Sequence, residues 1–390
     1  MSMQENMGGA TRLTNAGRLM EATSLIQRTL GGATVPGGLA ANSWKTPSPA
    51  IGGGRGSGGG NEATGTLPVG PQGFIAPDPV RRSAMPSGGR VRIPEPPAVE
   101  VPAGGKFVSG TFTNGAGTRG YKLYVPGVVR GEAVPLVVML HGCTQNPDDF
   151  AAGTRMNGLA EKGGFFVVYP EQSGGANMSR CWNWFQEGDQ VRDRGEPSII
   201  AGITHQIAAT QPVDVRRIYV AGMSAGAAMA VVMGETYPDL YAAVGVHSGL
   251  PYGAASDLPS AFKAMQGGGE ARAAAPRGVP TIVFHGDRDT TVNQANGEQV
   301  LRRWVDTNPA GKGANAKPLV VVRKGEVPNG HAYTRSVYHD AEGQPVAEGW
   351  SVHGAGHAWS GGDPRGSYTD PRGPDASAEM VRFFLEHPRR

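Results

Sequence analysis

A serine, a carboxylate and a histidine stand out by what surrounds them. The stretch Arg217-Ile-Tyr-Val-Ala-Gly222-Met223-Ser224-Ala225-Gly226 places G-x-S-x-G between an apolar run that reads as a buried strand and a run that reads as helix Ala225–Thr236. A serine on such a sharp strand-to-helix turn is presented as a nucleophile: flanking glycines let neighbouring backbone pass closely, and the helix N-terminus favours developing negative charge. In a chain with 61 glycines the bare pattern arises by chance, so its strand–turn–helix setting carries the inference. The bland alternative is a structural serine in a tight turn. Ser248, in His247-Ser248-Gly249, also follows a strand but has no glycine two residues before it, and reads as pocket edge or strand-end cap.

Strand Thr281–Phe284 runs into His285-Gly286-Asp287-Arg288-Asp289. Two carboxylates compete there. Asp287 is closer to the strand and able to cap the turn; Asp289 opens the D-x-x-V that leads into a helix and is preferred as the orienting acid. With the order Ser…Asp…His, five of the nine histidines remain as base: His331, His339, His353, His357 and His387. His357 lies on a Gly-flanked loop just past the last expected strand, Trp350–His353, from which it can swing over the sheet edge; His353 reads as a packed strand residue. Ser224 is nucleophilic once His357 accepts its proton, while Asp289 fixes the imidazole tautomer and stabilises the imidazolium. Strand Leu136–Leu140 ends in His141-Gly142-Cys143-Thr144-Gln145. In an α/β-hydrolase this loop and the residue after the nucleophile supply the oxyanion N–H groups, so Cys143 and Ala225 are the expected donors. The alternative is that His141-Gly142 merely ends a strand. The chemistry implied is acyl transfer to water.

The elements that must position these groups alternate. Strands are expected at Lys122–Val125, Leu136–Leu140, Phe165–Tyr169, Arg217–Ala221, Ala243–Val246, Thr281–Phe284 and Leu319–Val322, with helices at Ser198–Ala209, Ala225–Thr236, Asn293–Thr307 and Ala376–Glu386. Most strand candidates are continuous apolar runs, the pattern of parallel strands buried on both faces. The fold class is therefore α/β, a mostly parallel sheet with helices on both faces, spanning 106–390.

Ahead of it, residues 31–105 hold 18 Gly and 12 Pro in 75 positions and read as a disordered linker, too poor in large apolar groups to order. Residues 1–30 include a periodic segment, 9–30, expected as an amphipathic helix that docks on the main domain or lies on a hydrophobic surface. Collagen is excluded because no Gly-x-y period runs through the linker, and no apolar run comes near the ~20 residues of a membrane span. The net charge of +3 resides in 1–105, leaving 27 charges of each sign in 106–390, so no nucleic-acid face is expected. Two cysteines, Cys143 and Cys181, allow one disulfide or two free thiols. No secretory signal is visible in MSMQENMGGATRL, which makes the cytoplasm the default, with export by an unrecognised signal as the alternative.

Taken together, His141–Gln145, Cys181-Trp182-Asn183-Trp184-Phe185, Ala221–Gly226, His285–Asp289 and Gly356-His357-Ala358-Trp359-Ser360-Gly361-Gly362 resemble the polyhydroxybutyrate depolymerase family of esterases, close to the feruloyl and acetyl-xylan esterases. The resemblance runs collinearly from about 106 to 387. It implies the α/β-hydrolase fold and hydrolysis of polyhydroxyalkanoate or its oligomers without metal or cofactor. It also implies Ser224, Asp289 and His357 as triad with Cys143 and Ala225 as oxyanion donors. A feruloyl or acetyl-xylan type esterase is the alternative, and a non-catalytic protein docked on polymer granules through 9–30 the remote one. Trp182, Trp184 and Trp359 are candidates for an apolar substrate wall, with core packing as the competing reading. A Cys143–Cys181 bridge would tie the tryptophan loop to the oxyanion loop.

Overall fold

The runs read as strands are apolar at every position because both faces of their sheet are covered. Along β3 (Val134–Leu140), Leu136, Val138 and Leu140 enter one core cluster while Val137 and Met139 enter another. The two-residue period of a strand sends successive side chains to opposite faces, and neither face meets water. The computed structural model describes residues 99–390 except 130, 268–277, 308–318, 341 and 390. The helix expected at 9–30 and nearly all of the expected linker lie outside the described residues.

The main sheet also contains β1 (Lys106–Asn114), β2 (Gly117–Val125), β4 (Phe166–Pro170), β5 (Val213–Met223), β6 (Ala243–His247), β7 (Thr281–Gly286), β8 (Leu319–Glu326), β9 (Ala332–His339) and β10 (Pro345–Val352). Its order is β1-β2-β4-β3-β5-β6-β7-β10-β9-β8, and β11 (Trp359–Ser360) pairs separately with β12 (Thr369–Asp370). The central strands from β4 to β10 are parallel. Antiparallel pairs extend both edges.

Seven helices are described: α1 (Pro147–Thr154), α2 (Met156–Gly163), α3 (Gly195–Thr210), α4 (Ala225–Thr236), α5 (Leu258–Gly267), α6 (Ala295–Thr307) and α7 (Ala376–Glu386). Ile199, Ile203 and Ile207 of α3 share the first core cluster with Ala227, Met229 and Val232 of α4. The second cluster receives Phe150 of α1, Met156 of α2 and Met380, Phe383 and Phe384 of α7. The mostly parallel sheet with a helical layer on each face is thus present. Asn146 caps α1 through Asp149 N, Pro147 follows it, and Asp375 caps α7 through Ala378 N, so both helices start where their orphan N–H groups find acceptors.

Differences from expectation have physical reasons. β8 is an antiparallel edge strand whose Leu319 and Val322 are more than half exposed, so its apolar run does not mark a doubly buried strand. β1 and β9 carry no strand pattern in the sequence because they mix polar, aromatic and small residues at the sheet margins. Helices α1, α2 and α5 are too short to display a full apolar stripe.

A buried carboxylate fastens the far edge. Glu348 of β10, 1% exposed, accepts from Arg335 of β9 at 2.9 Å, Arg382 of α7 at 2.7 Å and Trp350 Nε1 at 2.6 Å. Phe384 of α7 stacks on Tyr219 of β5 with ring centres 4.9 Å apart. Phe384→Ala is expected to cost about 3–5 kcal/mol, whereas the exposed neighbour Leu385→Ala should stay within about 0.5 kcal/mol. Urea unfolding of both variants checks this; equal losses would mean that α7 is not held by the Phe384 contact.

Candidate active site

β5 ends at Met223 and α4 begins at Ala225, so a single residue, Ser224, makes the turn. It does so at φ 56°, ψ −121°, a region that side-chain-bearing residues rarely enter. Close backbone packing holds it there. A Cβ on Gly226 would lie 2.1 Å from the Leu140 carbonyl oxygen, and one on Gly222 would lie 2.4 Å from Gly226. Only glycine lets the end of β3 and the start of α4 approach this closely. Ser224 N donates to the His247 carbonyl at 2.9 Å, and its own carbonyl accepts from Ala228 N at 2.9 Å.

The candidate acid and base lie past the ends of β7 and β10. His357 Nδ1 donates to Asp289 Oδ2 at 2.8 Å, and the two side chains are 5% and 0% exposed. Because the carboxylate accepts from Nδ1, the ring's other nitrogen, Nε2, is the one free to take a proton. Asp289 Oδ1 accepts from Thr291 N and Val292 N, each at 2.9 Å. Burial works against the charged carboxylate. The charge and hydrogen bond of His357, with His285 and the Val292 N–H, outweigh it and hold the pKa at about 2.

The competing groups are occupied elsewhere. Asp287 accepts from His353 Nδ1 at 2.9 Å and from Gly354 N at 2.7 Å, capping the turn in a pair that is 30% and 43% exposed. His353 therefore lies past the end of β10 on the surface, not packed within the strand. His331 pairs with Asp370, while His339 and His387 contact backbone carbonyls.

The loop after β3 is braced on every side. Cys143 is disulfide-bonded to Cys181, and no acceptor among the described residues takes the Cys143 N–H. Gly142 N donates to Gln145 Oε1 at 2.9 Å. His141 Nε2 accepts from Gln172 N, which leaves Nδ1 as the donor to the Gly142 carbonyl. The side chain of Gln172 donates to the Cys181 carbonyl and to Glu196. Glu196, buried and raised in pKa by that burial, also accepts from Asn183 N at 2.7 Å and Asn183 Nδ2 at 2.8 Å, with Arg119 at 3.3 Å. One buried acid thus fixes the loop that the disulfide joins to Cys143.

The tryptophans correct an expectation. Trp182 and Trp359 are at most 1% exposed and Trp184 is buried as well. Trp359 stacks on His247, meets Phe150 edge-on and donates to Ser377 Oγ; Trp182 packs beside His141. All three belong to the core clusters, which fits the core-packing alternative and not an open wall.

Residues that the sequence did not single out include Gln145, Gln172, Glu196 and His247. His247 Nε2 accepts from Ser360 N of the base loop at 2.9 Å, so its Nδ1 carries the proton facing Ser248 Oγ. The same residue's carbonyl holds Ser224 N. Ser248 is fully buried at φ 52°, inside the packing and not at a pocket edge. The place of His247 at the end of β6 is the signal available in the sequence; its partner Ser360, 113 residues away, leaves none.

Burial depresses the pKa of His141 to about 4 and of His247 to about 3, against about 6.5 for a free histidine. At these two sites, between about pH 6.5 and 4, the unfolded chain therefore binds up to two more protons than the folded one. Their contribution is full above about pH 6.5 and is lost as pH falls, at up to about 2.7 kcal/mol per pH unit. The Asp289 contribution, present above its ordinary value near 4, disappears as pH falls towards 2. Urea unfolding from pH 7 to 4.5 measures the slope, and flat stability over that range would contradict the assignment. The disulfide closes a loop with a sequence separation of 38, a constraint of about 4 kcal/mol in the unfolded chain. Reduction is expected to lower Tm by several degrees; an unchanged Tm in full reductant would show the bridge to be dispensable.

Comparison with known proteins agrees with this architecture. A family model described as esterase PHB depolymerase matches residues 119–328, and His357 lies beyond that match. Poly(3-hydroxyalkanoate) depolymerase C of Paucimonas lemoignei is 36% identical over 264 residues, covering 64% of this chain and 60% of that protein. A probable acetylxylan esterase A of Aspergillus fumigatus is 30% identical over 211 residues, covering 49% and 56%. The chain thus spans less than two thirds of the length of either relative. In structure, an acetyl xylan esterase from Aspergillus awamori superposes with TM-score 0.54 at 19% identity, covering 72% of this chain and 99% of that one, which establishes the α/β-hydrolase fold. With its family model matched over more than half of its length, the chain belongs to the esterase PHB depolymerase family.

Proposed function

We propose that this chain is a serine esterase that hydrolyses polyhydroxyalkanoate, or the short hydroxyacid oligomers derived from it, through an acyl-enzyme on Ser224. The observation that carries the reading is the buried Asp289–His357 pair, oriented with Nε2 free, past the same end of the parallel sheet at which Ser224 is held at positive φ. Ser224 Oγ attacks the ester carbonyl carbon while His357 Nε2 takes its proton. The oxyanion forms between the N–H groups of Cys143 and Ala225, each such donor contributing about 3–4 kcal/mol to the transition state. His357 then returns the proton to the leaving alkoxide, and water, deprotonated by the same nitrogen, cleaves the acyl-enzyme. Similarity to a poly(3-hydroxyalkanoate) depolymerase supports the acyl class. The acetylxylan esterase relatives support the second reading, an esterase of carbohydrate side chains. The Cys143–Cys181 bridge favours export to an oxidising compartment over the cytoplasmic default.

Two measurements test this. On p-nitrophenyl butyrate, Ser224→Ala is expected to lower kcat by about 10⁴-fold or more and Asp289→Asn by about 10⁴-fold, while Asp287→Asn should lose less than about tenfold. An Asp287→Asn variant as impaired as Asp289→Asn would transfer the acid role to the outer pair. A panel of 3-hydroxybutyrate oligomers, acetylated xylan and methyl ferulate ranks the substrate classes; higher kcat/KM on xylan acetate than on the oligomers would select the second reading.

A further inference from the structure

Two residues beside the site have backbone conformations that their side chains disfavour, and they touch each other. Thr144, directly after the candidate oxyanion donor Cys143, sits at φ 66°, and Tyr368 sits at φ 53°. Positive φ is a particular outlier for a β-branched residue such as Thr144. The Thr144 and Tyr368 hydroxyls are 3.2 Å apart. Thr144 has one hydroxyl proton, and it is already donated to the Cys143 carbonyl at 2.6 Å. The proton between the two hydroxyls therefore belongs to Tyr368, with Thr144 Oγ1 as acceptor.

Tyr368 faces the base as well. Its ring stands edge-on to the His357 ring, with centres 6.5 Å apart. Its carbonyl accepts from Trp359 N at 2.7 Å, where β11 and β12 pair. On the other flank of Cys143, Gly142 N is held by Gln145 Oε1, while Gln145 Nε2 donates to the Ser367 carbonyl at 3.1 Å. Ser367 N in turn donates to Asp149 Oδ1 at 2.8 Å. The residues on either side of the oxyanion donor are thus each tied to one of two consecutive residues, Ser367 and Tyr368, on the segment that packs against the base.

We propose that Tyr368 is a positioning residue, whose hydroxyl, by donating to Thr144, sets the oxyanion donor Cys143 at a fixed distance from the base His357. The ring contact holds the imidazole, the hydroxyl holds the loop after β3, and strained backbone at both ends marks where the fold gives up local preference to make the bond. The role concerns the transition state and not ground-state binding, because an oxyanion donor is fully engaged only when the carbonyl oxygen becomes tetrahedral. The proposal rests on the serine esterase reading above.

The test is a double-mutant cycle on the full chain with p-nitrophenyl butyrate, measuring kcat, KM and Tm for the wild type, Tyr368→Phe, Thr144→Ala and the double variant. Tyr368→Phe keeps the ring against His357 and removes only the bond. It is expected to lower kcat about tenfold with KM changed less than twofold and Tm within about 2 °C. Thr144→Ala should fall by a similar factor, and the double variant should be no slower than the slower single. Multiplying losses in the double variant, a Tyr368→Phe kcat within twofold of wild type, or a loss confined to KM would each overturn the proposal. Ser224→Ala run alongside separates the failures. If it retains activity, the serine mechanism itself is wrong; if it is inactive while Tyr368→Phe is unaffected, only the positioning role is lost.

Discussion

The approach of β3 to the start of α4 is the constraint on which the site depends. Leu140 is in register with Gly222, and its carbonyl occupies the space that a side chain on Gly226 would need. This contact forces Ser224 into its positive-φ turn and brings the loop after β3 alongside it. The parallel register then carries the same level across the sheet: Met223 lies opposite His247, His247 opposite Phe284, and Gly286 opposite Val352. Four neighbouring strands thus end together, and the groups proposed for catalysis leave from those ends, where ligands of parallel sheets bind.

Beneath that level the site is braced by neutral histidines. His141, His247 and His285 are almost completely buried and lowered in pKa by burial. An uncharged imidazole both donates and accepts, so His141 and His247 can each join two segments without placing an unpaired charge in the interior. His141 joins the ends of β3 and β4, and His247 joins the nucleophile's strand to the base loop. His285 donates from Nε2 to the Val292 carbonyl, with Asp289 3.5 Å from the same nitrogen. Asp289 is buried beside them, and it is surrounded by N–H donors fixed before any substrate arrives, the condition for electrostatic preorganisation.

How much of this could be read in advance follows the range of the interaction involved. The central strands were legible because doubly buried parallel strands write themselves as continuous apolar runs. Ser224 was legible because its turn needs two glycines within two residues on either side. Fold margins were not: β8 carries an apolar run yet is exposed, and β1 and β9 carry mixed patterns that only their pairing makes strands. The tryptophans were misread for a related reason. Adjacency in sequence to Cys181 or His357 placed them near the site, but strand and loop geometry turned them inward, where Trp359 finds Ser377 and Trp182 finds His141. Glu196 and Gln172 are joined to their partners through tertiary contacts alone, so no local pattern reveals them.

The ambiguity between Asp287 and Asp289 has a physical origin in the turn itself. Both carboxylates follow β7, and both histidines, His353 and His357, follow its neighbour β10, so the two loops meet in register and form two Asp–His pairs at nearly equal distances, 2.9 and 2.8 Å. Distance cannot separate them; solvent does. In the outer pair both groups are partly exposed, and water screens their attraction to the small value typical of surface pairs. In the inner pair the carboxylate is sealed off, its second oxygen is occupied by two backbone N–H groups, and the histidine proton is the strongest partner left to it. There the same interaction can stabilise an imidazolium as it forms. The outer pair closes the turn that leads to the loop of His357, and the inner pair has the burial and the hydrogen bonding that the proposed base role of His357 asks for.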